Sequence, residues 1–176
     1  MKTNVALIGF MGVGKTAVGE ALAKKLNKEF VELDSLIEHK AGIPIPEIFQ
    51  QDGEISFREL EIEVTKEVAK GNNLVIACGG GVVLNKINID RLRNESIIVY
   101  LTASPRTILK RVLNNGDERP LLKTPNKALE IQGLLKFRKP FYERAADIKI
   151  DTSKLDINAV AEQIISKLKD DESFNS

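Results

Sequence analysis

A glycine-rich stretch near the start of the chain has the residue types and spacing of a phosphate-binding loop. Residues 9–16 read GFMGVGKT, which matches the pattern G-x-x-x-x-G-K-[ST]. Its glycines allow tight turns in which successive backbone N–H groups surround phosphate oxygens. Lys15 would place a point charge on the β- and γ-phosphates, and the Thr16 hydroxyl is placed to ligate Mg²⁺. The stretch therefore predicts a site for a nucleotide with its metal ion.

The residues on either side give this loop its physical setting. The apolar run NVALI precedes it, and AVGEALAKKL, which has the spacing of a helix, follows it. A helix that begins near Lys15 adds the positive end of its dipole to the phosphate site. This setting favours a functional loop over a glycine-rich turn without a role. The pattern alone does not distinguish a kinase from a switch protein or a motor, so the phosphate acceptor must be identified elsewhere.

Two acids, Glu32 and Asp34, end the next apolar run, FVELD. In an open parallel sheet, ligands bind outside the carboxyl ends of the strands, and strand alternation would put both carboxylates on one side, facing that mouth. One carboxylate could hold Mg²⁺ through water while the other contacts a substrate hydroxyl. The competing interpretation makes Asp34 the N-cap of the following helix, SLIEHKAG.

An arginine and a glycine triplet are further candidates for binding the acceptor. Arg58 lies one helical turn after Glu54 and one turn before Glu61, so either glutamate could satisfy it as an ordinary ion pair. Three consecutive glycines follow the third apolar run, LVIAC, and would let a small ligand approach the backbone closely. They are Gly79, Gly80 and Gly81. The presence of this glycine triplet, a second candidate element for binding a small ligand, favours a binding role for Arg58.

A polar and basic segment late in the chain has the character of a mobile lid. The sequence NNGDERPLLK interrupts a helical pattern with Gly and Pro, and we place the lid at about residues 113–125, with Arg119 as its cation. The helical pattern then resumes, and Arg138 shares a helix face with Tyr142, four residues later. Residues 105–144 contain ten Lys and Arg but only four Asp and Glu. This excess of positive charge suits a segment that folds over polyphosphate.

Composition and the order of the apolar runs indicate one domain. Five short apolar runs alternate with longer amphipathic stretches, which predicts an α/β fold with a mainly parallel sheet over residues 1–170 and a disordered tail at 171–176. A net charge of +1 disfavours a nucleic-acid partner, and no apolar run is long enough to span a membrane. With one cysteine and no leader sequence, we expect a cytoplasmic protein. We also expect a monomer.

Seven segments occur in the order and spacing found in shikimate kinases. They are GFMGVGKT, ELDSLIE, IPEIFQQDGEISFRELE, ACGGGVV, DERPLL, FRKPFYERAAD and IDTS, and the likeness runs from about residue 4 to residue 168. The chain resembles this family, and the resemblance implies a three-layer α/β/α P-loop NTPase fold with a five-stranded parallel sheet, a substrate-binding helical region and a mobile lid. It also implies phosphorylation of the shikimate 3-hydroxyl by ATP with Mg²⁺, a step towards chorismate and the aromatic amino acids.

The same resemblance implies a role for each matching position. Lys15 would stabilise the transferring phosphoryl group, Asp34 would bind ring hydroxyls and assist deprotonation, and Arg119 would reach the phosphates from the lid. Arg111 would stack on adenine, opposite a loop at residues 152–155, and two arginines would clamp the shikimate carboxylate. The implied nucleotide site comprises Gly12, Val13, Gly14, Lys15, Thr16, Ala17, Arg111 and Arg119; the shikimate site comprises Asp34, Arg58, Gly79, Gly80, Gly81 and Arg138; and the metal site comprises Thr16 and Glu32.

The chain departs from the family pattern at one position, and other functions stay open. The family carries D-x-D where this chain has Glu32, which keeps the charge but moves it by one methylene. A gluconate or nucleoside monophosphate kinase would share the loop and the lid but would need different acceptor contacts. A nucleotide-dependent switch would hydrolyse slowly without an acceptor, and the charged residues and glycine triplet of the predicted acceptor site disfavour it.

Overall fold

The computed structural model describes residues 1–114, 126–154 and 156–175, and a five-stranded parallel sheet lies at its centre. The strands are β1 (Asn4–Ile8), β2 (Glu29–Glu32), β3 (Leu74–Ala77), β4 (Ser96–Thr102) and β5 (Ile148–Asp151). They lie in the order β2-β3-β1-β4-β5, and each neighbouring pair is parallel. Their carboxyl ends therefore share one edge, where ligands bind in sheets of this kind.

Helices cover both faces of the sheet. They are α1 (Lys15–Leu26), α2 (Leu33–Ala41), α3 (Ile45–Val68), α4 (Lys86–Glu95), α5 (Pro105–Asn114), α6 (Lys127–Ala145) and α7 (Ile157–Lys169), with a 3₁₀ turn at Val82–Leu84. Helices α1 and α7 pack on each other, while α4 and α6 contact β4. Right-handed crossovers put α1 and α4 on opposite faces, because the chain moves in opposite directions along the sheet after β1 and after β3. The three layers confirm the predicted α/β fold.

The central strands are apolar over most of their length, and both faces of the sheet are covered. The side chains of β1 from Val5 to Ile8, and those of β4 from Ile97 to Val99, are almost completely buried, as expected of a parallel sheet between two helical layers. Burying a side chain of this type contributes about 1.5–3 kcal/mol. The core thus fixes the strand ends, and with them the loops that follow β1, β2 and β3.

The boundary between β2 and α2 differs from the prediction. The strand ends at Glu32 and α2 begins at once with Leu33, so Asp34 lies in the first turn of a helix and not in the strand. Glu32, with extended φ and ψ, is the N-cap, so the alternative prediction that Asp34 is the cap is also wrong. Leu33 is fully buried and starts the helix against the core. The Asp34 carboxylate is therefore left at the positive end of the helix dipole.

The C-terminal residues pack against the start of the chain, although the sequence indicates a disordered tail. Phe174 is 8% exposed, and the Lys28 ammonium lies 5.3 Å from the centre of its ring. The Lys2 amide donates to the Ser173 carbonyl at 2.7 Å, and the Asn175 amide donates to the Lys2 carbonyl at 2.8 Å. An apolar side chain close to the end of the chain thus finds a buried site that its polar neighbours in the sequence do not indicate.

The predicted lid at residues 113–125 lies largely outside the described residues. Leu113 and Asn114 belong to the last turn of α5, and the description resumes at Asn126, the N-cap of α6. Arg119, the predicted lid cation, lies outside the described ranges. Among the described helices, none combines the length and the apolar composition that crossing a bilayer requires.

Candidate active site

The loop after β1 has a backbone conformation that its glycines permit. Gly9, Gly12 and Gly14 have φ of 152°, 78° and 99°, in the region that L side chains rarely adopt. A Cβ atom at Gly9 would lie 2.5 Å from the Leu101 carbonyl oxygen, so β4 leaves no room for a side chain there. Helix α1 begins directly after Gly14 and points its N-terminus at the loop. Such a loop and helix end favour bound phosphate.

Lys15 and Thr16 open α1, and their side chains contact other parts of the site. The Lys15 ammonium donates to the carbonyl oxygens of Gly9 and Phe10 at 2.7 and 2.9 Å, across the loop. The Thr16 hydroxyl donates to the Glu32 carboxylate at 2.5 Å. The structure therefore brings the two predicted metal ligands, from α1 and β2, into direct contact.

The oxygen atoms of Thr16 and Glu32 suit a magnesium ion. Mg²⁺ prefers hard oxygen ligands and is usually held by one or two protein side chains, water and substrate phosphates. The Ser35 hydroxyl donates to the second Glu32 carboxylate oxygen at 2.9 Å and so helps to fix its orientation. Across the described ranges, no group of three or more His, Cys, Asp or Glu side chains is placed to hold a metal ion. An ion bound here would take most of its ligands from phosphate and water.

A cleft of about 940 Å³, including its open mouth, lies over the loop. Its walls include predicted residues of the nucleotide and metal sites: Gly12, Gly14, Lys15, Thr16, Ala17 and Glu32. Asp34 lines it as well, so the two acids that end β2 and begin α2 do face one cleft, although Asp34 is helical. The Val13 side chain is buried in the core. Only the backbone of Val13 can therefore serve a bound nucleotide.

Arg111 lies against the back of the phosphate loop. Its guanidinium donates to the Gly12 carbonyl at 3.2 Å and to the Thr152 carbonyl at 2.9 Å. The buried Thr152 hydroxyl lies 2.9 Å from the carbonyl oxygens of both Val13 and Thr102. Arg111 and Thr152 thus join the loop to the ends of β4 and β5. The predicted stacking of Arg111 on adenine stays a prediction.

A second cleft, of about 530 Å³ with its open mouth, adjoins the first. It brings together the predicted acceptor-binding residues, which come from α2, α3, α6 and the loop after β3: Asp34, Arg58, Gly79, Gly80, Gly81 and Arg138. Apolar side chains of the α3 region complete its walls: Ile45, Phe49 and Phe57. Positions more than a hundred residues apart in the chain therefore form one pocket with charged and apolar walls.

The glycine triplet makes room for charged side chains. A Cβ atom at Gly79 would lie 2.8 Å from Asp34 Oδ1, and one at Gly81 would lie 2.3 Å from Arg58 Nη1. A Cβ atom at Gly80 would lie 3.4 Å from Arg138 Nη1. The sequence predicts that a ligand approaches this backbone closely. The structure shows that the acceptor-site side chains themselves already do so.

Arg58 is held by two glutamates of its own helix. Its guanidinium donates to Glu61 at 2.9 Å and to Glu54 at 3.4 Å. Glu61 is 1% exposed, and this burial raises the pKa of its carboxyl, against the opposing charge of Arg58. Helical spacing predicts both pairs, but it does not predict that Glu61 is buried and lines the acceptor cleft. Glu61 is therefore a site residue that the sequence analysis missed.

Arg138 reaches the cleft from α6 and is almost fully buried. Its guanidinium lies 5.8 Å from the centre of the Phe10 ring. Tyr142, one turn later and fully buried, donates a hydrogen bond to the Gly80 carbonyl oxygen. Burial raises the pKa of Tyr142 to about 12. The sequence places Arg138 and Tyr142 on one helix face, but the bond to Gly80 depends on packing between distant segments.

The two clefts share Met11, Asp34, Gly79 and Gly80 as walls. A phosphate over the loop and a small acceptor in the second cleft would therefore meet beside Asp34. Two guanidinium groups suit a carboxylate, because the planar donors of arginine can pair with both oxygens. The arrangement can support phosphoryl transfer from a nucleotide to a hydroxyl of a small carboxylated molecule.

The chain is similar to known proteins along almost its whole length. The family model for shikimate kinase matches residues 11–169. Shikimate kinases from Thermodesulfovibrio yellowstonii and Caldicellulosiruptor bescii are 46% and 45% identical over 164 and 163 residues, and each match covers 93% of this chain and 94% of the relative. Shikimate kinase from Acinetobacter baumannii in complex with shikimate has a TM-score of 0.93 at 35% identity, covering 98% of this chain and 96% of that one. The chain has a phosphate loop and an arginine-lined cleft, and these matches show that it belongs to the shikimate kinase family.

Proposed function

We propose that this chain transfers the γ-phosphoryl group of ATP to the 3-hydroxyl of shikimate, giving shikimate 3-phosphate and ADP. The observation that carries the proposal is the pair of clefts that share Asp34, one over the phosphate loop and one lined by two arginines. Family membership indicates the substrates, and the shared wall explains how they would meet. The product would serve the route to chorismate and the aromatic amino acids.

On the donor side, the loop and Lys15 would hold the ATP phosphates. Backbone N–H groups around Gly12 and Gly14 would surround phosphate oxygens. The Lys15 ammonium would exchange part of its present bonding to loop carbonyls for phosphate oxygens and stabilise the charge on the transferring group. Thr16 and Glu32 would bind Mg²⁺, which neutralises charge on the β- and γ-phosphates when bound.

On the acceptor side, Arg58 and Arg138 would clamp the shikimate carboxylate between two planar donor groups. The backbone around Gly80 and Gly81 would bind a hydroxyl of the ring. Asp34 would accept hydrogen bonds from the ring hydroxyls and assist removal of the proton from the 3-hydroxyl. The 3-oxygen then forms a bond to the γ-phosphorus as the bond from that phosphorus to the β-phosphate oxygen breaks, and ADP leaves.

Further expectations from the sequence complete the proposal. Arg119 would reach the phosphates from the lid, and Arg111 would stack on adenine while the edge of its guanidinium stays bonded to the loop. The enzyme would act in the cytoplasm as a monomer, without a nucleic-acid or membrane partner. Light scattering should give a mass near 19.5 kDa, and a multiple of that mass would refute the monomer.

Release of ADP in the presence of ATP and Mg²⁺ tests the proposed acceptor. The reaction is run without acceptor and with shikimate, quinate, gluconate or AMP, and we expect strong stimulation by shikimate alone. Stimulation by gluconate or AMP instead would show that the acceptor site is wrongly assigned. Slow ADP release that no acceptor accelerates would favour a nucleotide-dependent switch.

A further inference from the structure

We propose that Tyr142 is a positioning residue for acceptor binding, because its phenol holds the peptide unit between Gly80 and Gly81 in the cleft that Arg138 also lines. The inference rests on the proposed function, which assigns Arg138 and the backbone of the glycine triplet to shikimate. Tyr142 is fully buried. It would therefore act through the backbone of the glycine triplet and not by touching the substrate.

Tyr142 is held by one hydrogen bond and one ring contact. Its hydroxyl donates to the Gly80 carbonyl oxygen, and the positive charge of Arg138, one helical turn earlier, acts on the phenol. A nearby cation polarises the phenol and strengthens the bond that the phenol donates onward. The Tyr100 ring of β4 stacks on the Tyr142 ring with 5.0 Å between centroids, which holds the aromatic plane in place.

The bond to Gly80 fixes more than one carbonyl group. The Gly80 carbonyl and the Gly81 amide belong to one trans peptide unit, whose C=O and N–H point in opposite directions. Holding the carbonyl towards Tyr142 therefore holds the Gly81 N–H towards the other side. Gly81 lines the acceptor cleft. A single phenol thus orients a backbone donor in the cleft that Arg138 also lines.

The described contacts of Arg138 are weakly directional. Pro140 lies between Arg138 and Tyr142 in α6 and has no N–H to donate to the helix ladder. The contact of Arg138 with the Phe10 ring, at 5.8 Å, is electrostatic and weakly directional. In the part of the chain that the structure describes, the Arg138 Nε is buried without a hydrogen-bond partner. The part of the acceptor site that Tyr142 sets directly is therefore the peptide unit of Gly80 and Gly81.

The Tyr142→Phe variant removes this hydroxyl and keeps the ring, and Tyr100→Phe is its matched control in the same aromatic pair. For Tyr142→Phe, we expect the KM and the calorimetric Kd for shikimate to rise about tenfold, the size of one lost hydrogen bond, while kcat and the KM for ATP stay within about twofold. Tyr100→Phe should leave the shikimate constants unchanged. An unchanged shikimate KM, or an equal loss for both substrates, would overturn the proposal and leave Tyr142 a purely structural residue.

The same experiment separates this inference from the proposed function. Wild-type protein without shikimate-dependent turnover would refute the function, whereas the ratio of variant to wild-type Kd tests Tyr142. If Tyr142→Phe does not fold, fluorotyrosine labelling of the wild-type fold replaces it, since the chain has two tyrosines. Saturation with shikimate should then shift the ¹⁹F resonance of Tyr142 more than that of Tyr100. Equal or absent shifts would overturn the proposal.

Discussion

Replacing Gly81 by alanine would test whether the room left for Arg58 sets the affinity for the acceptor. An added Cβ atom would lie 2.3, 2.5 and 2.6 Å from Nη1, Nη2 and Cζ of Arg58, far inside van der Waals contact. Gly81 has φ of −101° and ψ of 6°, a conformation open to L residues, so the backbone itself tolerates alanine. The guanidinium, at the end of a flexible side chain, must therefore move.

Displacing Arg58 would remove part of the carboxylate clamp. Charge-assisted hydrogen bonds contribute about 1.5–3 kcal/mol each, so the KM for shikimate should rise by roughly one to two decades, with Arg58→Ala as the upper limit. The buried Glu61 accepts from Arg58 at 2.9 Å. Weakening that bond should lower the free energy of unfolding by about 1–3 kcal/mol. The KM for ATP should stay within about twofold, since Arg58 lines the acceptor cleft.

Initial rates of ADP release against shikimate, at saturating ATP, give the KM, and urea unfolding gives the stability. Gly133→Ala is the matched control, because Gly133 lies on α6 and a Cβ atom there would meet nothing within 4 Å. This control should leave the KM unchanged and gain about 1 kcal/mol of stability from helix propensity. A folded Gly81→Ala protein with the wild-type KM for shikimate would refute the reasoning.

Three more perturbations give distinct outcomes. Lys15→Ala should lower kcat far more than it raises the KM for shikimate, because phosphoryl transfer depends on charge stabilisation; steady-state kinetics with a larger effect on KM would contradict this role. The raised pKa of Tyr142, about 12, lets the folded chain keep a proton that the unfolded chain loses near pH 10, so the free energy of unfolding should fall as the pH rises between these values. Urea unfolding at pH of about 9 and about 11 should show about 1 kcal/mol of this loss in the wild type and none of it in Tyr142→Phe. Phe174→Ala should lower the free energy of unfolding by about 2–3 kcal/mol if the C-terminal residues pack as described, and an unchanged unfolding midpoint would show that they do not.

The phosphate loop could be predicted from the sequence because its chemistry is local. Lys15 and Thr16 follow the glycines directly, and the apolar and amphipathic runs on either side specify the strand and the helix. The order of such runs also predicts the parallel sheet. The predicted start of α2 is wrong because an E-L-D sequence suits both a strand end and a helix start, and the burial of Leu33 decides between them.

The acceptor site depends on contacts that no local pattern contains. Arg58 and Arg138 are eighty residues apart in the sequence, and only the resemblance to a family implies that they clamp one carboxylate together. Helical spacing indicates partners for Arg58 without saying that Glu61 is the buried one. The bonds of Tyr142 to Gly80 and of Arg111 to the phosphate loop depend on how the helices pack over the strand ends. Tertiary packing decides all of these contacts.

The position of the new phosphate ester tests the central claim most directly. The chain is incubated with ATP, Mg²⁺ and shikimate, and the product is examined by ¹H–³¹P correlation spectroscopy. The proposed reaction predicts a phosphorus resonance coupled to the ring proton at carbon 3, formed together with an equal amount of ADP. Inorganic phosphate as the only product, or coupling to a different ring proton, would contradict it.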